Sequence, residues 1–275
     1  MLDQFCPDVV SVGAVYAFNG DWATAALERG IPTVCDKPIA ATWPQLERLR
    51  TLLAANPTSI LLTEFDFRSR REFQAARSAV RSGKIGKPIL ATGQKSYRYG
   101  TRPAWYADRA SYGGTLAWIA SHAIDVIPFV TGQTLVKAVG HGGNVSHPEM
   151  GSMEDHVATL FTLSDGGTAV VHADFLRPAA APTHGDDRLR VAGSAGVVEV
   201  MNGRCRLITT TEGDTDITES VPTKPIHEEL LSALAGNPSD LYSTAESLAT
   251  AEILLRARDA TDSGRWVDLS ARSGG

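Results

Sequence analysis

Two segments of the sequence carry side chains whose type and setting could do chemistry. In Val34-Cys-Asp-Lys-Pro-Ile-Ala40 a short apolar stretch ends in a charged turn, and Lys37 stands just past the carboxyl end of an expected strand. Open α/β sheets place their ligands at such strand ends. Pro38 fixes the turn and restricts Lys37 to extended geometry, so the ammonium is aimed and could donate to a substrate oxygen. In Gly113–Asp125, GGTLAWIASHAID, His122 and Asp125 are three residues apart and share a helical face. Histidine is the side chain best placed to take a hydroxyl proton near neutral pH. Each residue also has a plainer reading. Lys37 could be a surface lysine beside Asp36, and His122 a satisfied histidine in a helix packed by Leu116, Ile119, Ala123 and Ile124.

The elements that must position these side chains are readable in outline. Asp8–Ala14 is a short valine-rich run, the composition of a strand buried on both faces. Trp22, Ala25, Ala26 and Arg29 follow at helical spacing, with Gly30 as a C-terminal stop. Ile31–Cys35 is a second strand, and Thr42-Trp-Pro-Gln45 is a capping box ahead of the stripe Leu46, Leu49, Leu52 and Leu53. Ser59–Phe65 is a third strand. This alternation predicts two consecutive βαβ crossovers, hence a parallel sheet resembling the second half of a doubly wound nucleotide-binding domain.

Beyond it the pattern changes. A charged helix over Arg70–Ser82 ends at the glycines of GKIG, Gly83–Gly86. Longer, alternating strands are then expected at 89–97, 136–142, 156–163, 167–175, 188–191, 197–201 and 205–210, separated by turns such as Ser164-Asp-Gly-Gly167. They predict a mainly antiparallel sheet. One helix near Leu116–Phe129 interrupts the series, and two more close it, the last opened by the capping box Ser243-Thr-Ala-Glu246. The tail Ser270–Gly275 is expected to fray.

Composition narrows the function classes. The 275 residues, 43% apolar and 21% charged, suit a globular protein of one large or two ordinary domains. A net charge of -5 without any basic block argues against a nucleic-acid surface. No run of 18 apolar residues predicts a membrane span, and nothing in MLDQFCPD resembles a signal peptide. Cys6, Cys35 and Cys205 read as reduced thiols of a cytoplasmic protein.

Taken together, the motifs resemble the Gfo/Idh/MocA family of sugar and cyclitol dehydrogenases. The resemblance runs through Ala26-Leu-Glu-Arg-Gly30, Asp36-Lys-Pro38, Ser82-Gly-Lys-Ile-Gly86, Gly113-Gly114 with His122 and Asp125, and Glu154-Asp155. It continues through Val191-Ala-Gly-Ser-Ala-Gly196 and Ser263-Gly-Arg-Trp-Val-Asp-Leu269. It implies a partial Rossmann-type unit over 1–68 and a substrate and oligomerisation domain over 69–275. It also implies hydride transfer between NAD or NADP and a polyol, with Lys37 and His122 at the reacting carbon. Ala14, Val15, Tyr16, Asn19, Asp36, Lys37 and Pro38 would touch the nicotinamide half of the cofactor. Arg68, Lys95, Tyr97, Trp118, Asp125 and His184 would shape the sugar site, and the open face of the second sheet would join subunits of a homo-oligomer. No membrane, nucleic-acid or metal partner is expected.

Two departures from the family pattern stand out. Members commonly carry aspartate four residues before the histidine, where Trp118 stands here; an indole has only an N–H donor and cannot orient a histidine as an acid does. The family's first strand, G-x-G-x-x-G turn and pyrophosphate-binding helix have no counterpart before Asp8. Gly193-Ser-Ala-Gly196 cannot substitute, since it lies between two expected strands. A start site placed too late is the preferred explanation, with Asp8–Ala14 exposed as an edge. The rival class is a non-catalytic carbohydrate-binding or scaffold protein that kept the fold. A metal-dependent lyase or isomerase using His122, Asp125 and His156 or His184 is disfavoured by nonspecific spacing.

Overall fold

The structure is a computed structural model describing residues 1–270, so that of the tail expected to fray only Ser270 is among the described residues. After a one-turn helix α1 (Leu2–Phe5) come three short parallel strands, β1 (Val10–Val12), β2 (Thr33–Cys35) and β3 (Leu61–Thr63), in the order 1-2-3. Helices α2 (Asn19–Leu27) and α3 (Trp43–Ala55) make the two crossovers. The pairing Val10↔Thr33↔Leu61 through Val12↔Cys35↔Thr63 sets all three carboxyl ends level. The strands are shorter than the sequence suggests, three paired residues each. Thr42 caps α3, its hydroxyl accepting from the Gln45 amide at 3.4 Å, with Pro44 in the first turn.

Nine further strands form one large sheet: β4 (Pro88–Tyr97), β5 (Leu135–Gly143), β6 (His156–Leu163), β7 (Thr168–Asp174), β8 (Gly185–Gly193), β9 (Gly196–Met201), β10 (Arg204–Thr209), β11 (Gly213–Asp216) and β12 (Val267–Asp268). Their order is 11-10-9-8-4-7-6-5-12, and every pairing is antiparallel except β4 with β7. Two strands escaped the sequence reading. β11 is exposed along its whole length and has no alternation to detect, and β12 is two residues long.

One face of this sheet is buried, as the alternation in β6 and β7 requires. Against it lie α4 (Arg71–Arg81) and a helical run made of α5 (Arg109–Tyr112), a π-helical turn (Leu116–Ala120) and α6 (Ser121–Thr131). By length and composition, 109–131 could cross a membrane, yet it lies almost wholly inside the protein core. Two helices close the chain, α7 (Ile226–Leu234) and α8 (Thr244–Ser263). Ser243 caps α8, its hydroxyl accepting from the Glu246 amide at 3.2 Å and donating to the Glu246 carboxylate at 3.0 Å. α8 contributes Ala251 and Leu255 to the core of the small sheet, and Leu254, Ala257 and Ala260 to that of the large one. Units separable in sequence near residue 68 therefore share a helix. The three cysteines are free, Cys6 exposed and Cys35 and Cys205 buried.

The two glycine-rich motifs of the second unit interlock. The Ser194 hydroxyl accepts from the Lys87 amide at 3.0 Å, the Ser194 amide donates to the Lys87 carbonyl at 3.0 Å, and the Ala195 amide donates to the Ile85 carbonyl at 2.9 Å. A β-carbon on Gly193 would sit 2.2 Å from the Ile85 carbonyl oxygen. These glycines let two backbones touch; they do not cradle a phosphate. Gly193→Ala is therefore expected to cost about 1–3 kcal/mol by overpacking a backbone that cannot yield, read as a lowered denaturation midpoint in urea.

Candidate active site

The parallel strands end on one rim. From β2 the chain runs into Asp36, Lys37 and Pro38, and from β3 into Glu64 and Asp66. Facing them, β4 supplies Lys95 and Tyr97, β8 and the loop before it supply His184, Asp186 and Asp187, and α6 supplies His122. Between the two groups lies a cavity of about 840 Å³, lined among others by Lys37, Asp66, Lys95, His122 and Asp187.

Lys37 is only 6% exposed, and its ammonium rests 3.9 Å from the centre of the Trp118 ring. Burial pulls its pKa down to about 8, against the opposing pull of Asp36, so it is still mostly charged at neutral pH. A ring face holding a cation in this way replaces part of the lost hydration. His122 is 5% exposed; burial, together with the Lys37 charge, pushes it down to about 4, and Asp66 opposes the fall. The imidazole is thus neutral at physiological pH, with one ring nitrogen free to accept a proton. Its Nδ1 stands 3.0 Å from Asp66 Oδ1, ion-pair distance, without the alignment of a full hydrogen bond. Burial alone would raise the Asp66 carboxyl, but His122, Lys95 and Arg70 outweigh it and hold the group well below the usual carboxylate range.

A second tier of charges fixes the first. β4 and β8 pair so that Lys95 lies directly opposite Asp187, and the two form an ion pair at 3.1 Å. Arg70 reaches Asp66 at 3.1 Å and Asp187 at 2.7 Å, joining the end of β3 to β8. Burial lowers the Lys95 pKa despite Asp187. His184 sits at the exposed rim, its ring 5.0 Å from that of Tyr97.

The residues expected at the nicotinamide end occupy the loops above β1 and β2. Asn19, fully buried, donates to the Asp36 and Pro38 carbonyls at 3.1 and 3.3 Å and accepts from the Ala14 amide at 3.1 Å. It is a tie between two strand ends, with its side chain spent on backbone. Val15 leads the chain into the turn Tyr16–Phe18. The Tyr16 hydroxyl shares a hydrogen bond of 2.8 Å with Tyr106, and its ring stacks on Trp118.

Three residues expected to shape the sugar site stand elsewhere. Arg68 and Asp125 meet each other in a two-pronged ion pair, both contacts 2.8 Å, and neither lines the cavity. Arg68 also donates to the Leu241 carbonyl at 2.7 Å. Asp125 shares a helix face with His122 but lies toward α8, where Thr250 donates to it at 3.3 Å. Trp118 lies behind Lys37, packed among Tyr16, Tyr97, Tyr112 and Phe175, its indole N–H without a partner. In turn the cavity contains Glu64, Asp66, Arg70 and Asp187, which the motifs did not single out. Glu64 and Asp66 could have been found by applying to β3 the strand-end argument used for Lys37 on β2.

The chain as a whole is similar to known proteins. A model of the GFO/IDH/MocA C-terminal domain matches residues 73–199. A solved structure from Thermotoga maritima, carrying a provisional oxidoreductase designation, is 34% identical, superposes with a TM-score of 0.91, and is matched over 98% of this chain and 82% of its own. The chain belongs to the Gfo/Idh/MocA family. Among curated relatives of this family member, the myo-inositol dehydrogenase Hyg17 of Streptomyces leeuwenhoekii is 27% identical over 195 residues, 70% of this chain and 57% of that protein. The chain thus spans little more than half the length of that relative. A levoglucosan dehydrogenase solved with NADH and levoglucosan shares the fold at a TM-score of 0.81 and 17% identity, over 98% of this chain and 82% of that one.

The Arg68–Asp125 pair generates a stability test. Arg68→Met leaves a carboxylate buried without its partner and is expected to cost about 3–5 kcal/mol, whereas the double variant R68M/D125L should recover most of that loss. Urea denaturation of the two variants measures the difference.

Proposed function

We propose that the chain acts as an NAD(P)-dependent oxidoreductase on a sugar or cyclitol, moving a hydride between the nicotinamide and a secondary hydroxyl or carbonyl. One observation carries this reading: a charged lysine and a neutral histidine, both buried, face one cavity at the carboxyl ends of parallel strands. The dehydrogenase and NADH complex named among its relatives support it.

The residues present fit the nicotinamide end of such a cofactor. Asp36, Lys37, Pro38 and the Asn19-tied loop from Ala14 stand where an open α/β sheet receives its ligand. Among the described residues no glycine-rich turn between strand and helix offers a pyrophosphate cradle, so the assignment concerns the nicotinamide end. When bound, the cofactor supplies the hydride acceptor or donor. The protein's share is proton handling and charge. His122 takes the hydroxyl proton as the carbon–hydrogen bond breaks, and the Lys37 ammonium stabilises the negative charge growing on oxygen. In the reverse direction Lys37 polarises the carbonyl, and the proton returns to the new alkoxide. Lys95, Tyr97 and His184 line the side of the cavity that would receive the rest of the polyol. We also propose that the open face of the large sheet, where Leu160 and Met201 are exposed, joins subunits of a homo-oligomer.

The direct test is titration with NADH and NADPH followed by cofactor fluorescence, then a screen of polyols with the cofactor that binds. Binding of neither at millimolar concentration would overturn the reading and favour a non-catalytic carbohydrate-binding protein. For an active pair, kcat/KM for oxidation should be flat between about 4 and about 8. It should fall below that window as His122 gains a proton and ceases to be a base, and above it as Lys37 loses its charge. His122→Asn is expected to lower kcat by roughly 10²–10⁴-fold and to remove the acidic limb, which a pH–rate profile records.

A further inference from the structure

We infer that Asp66 is the positioning residue for His122, fixing which ring nitrogen carries the proton and presenting the other to the substrate. Three consecutive residues at the end of β3 surround the imidazole. Phe65 meets it edge-on at 6.0 Å between ring centres, Phe67 lies tilted against it at 5.2 Å, and Asp66 Oδ1 stands 3.0 Å from Nδ1. The two phenylalanines restrict the ring's rotation, and the carboxylate selects its tautomer. An ionised carboxylate only accepts, so Nδ1 must hold the hydrogen and Nε2 the lone pair. That is the form a general base needs.

Asp66 is itself held from behind. Arg70 contacts its other carboxylate oxygen at 3.1 Å and is anchored to Asp187, which Lys95 also engages. The carboxylate therefore keeps both its place and its charge. On the histidine's own helical run, the residue one turn earlier is Trp118, whose polar atom is a donor, and the acid one turn later, Asp125, is held by Arg68. The imperfect alignment of Nδ1 and Oδ1 fits a pair that tightens when substrate arrives, as catalytic hydrogen bonds in unliganded sites often do.

The inference rests on His122 being the base, and its test separates the two claims. The full chain is labelled with ¹⁵N in its histidine rings, and the His122 resonances are assigned by their loss in H122Q. The native chain should show the Nδ1–H tautomer near neutral pH, Asp66→Ala should shift it to Nε2–H, and Asp66→Glu should restore it in part. With an active substrate, D66A should lower kcat about tenfold to a hundredfold, a part of what a positioned acid–base residue contributes, with KM changed less than about threefold and partial rescue by D66E. A native Nε2–H tautomer, or ring shifts and kcat unmoved in a folded D66A, would overturn the inference. A chain that turns over no polyol, yet loses the Nδ1–H tautomer in D66A, would support the positioning role and count against the proposed function.

Discussion

The charge of Lys37, kept almost out of water, is the constraint around which the site is organised. A buried ammonium needs compensation, and the fold supplies it from three directions: the face of Trp118, the carboxylate of Asp36, and the acidic ends of β3. Burial of the neighbouring imidazole, joined by this same charge, holds that ring neutral. Burial of the two side chains on one cavity therefore leaves a cation beside a neutral imidazole, the pairing on which the proposed function rests.

Trp118 takes on a different meaning in this light. Judged by position on its helix, it stands where an acid is commonly found and looks like a loss. In the folded chain it lies beneath the lysine, inside an aromatic cluster whose members come from the loop after β1, from β4, from β7's end and from the segment before α6. The acid nearest the histidine arrives instead from β3, at a sequence distance no helical periodicity can bridge.

Most of the fold was legible in the sequence because its signals are local. Valine-rich runs, capping boxes at Thr42 and Ser243 and alternation in the long strands report their own surroundings. β11 and β12 left no such trace, the first because it is polar on both faces and the second because it is two residues long. Lys37 and His122 were legible for the same local reason, through Pro38 and the glycine-led helix. Pairings were not. That Arg68 would join Asp125, or Lys95 would oppose Asp187, depends on strand register and helix packing, which single segments do not encode. A polar residue near a motif looks like a substrate contact until its partner is known.

The last helix carries a further consequence. Because α8 packs beneath both sheets at once, the strand ends bearing Lys37 and the helix bearing His122 are braced by the same element. Lys37 and His122 then face one cavity as a property of the folded chain itself. If the chain acts as proposed, the freedom to suit different polyols lies at the rim, in the loop around Thr183 to Asp187 and the turn at Asn202 and Gly203 that line the cavity. Grafting either sheet alone into another scaffold would leave behind the helix on which both sheets pack.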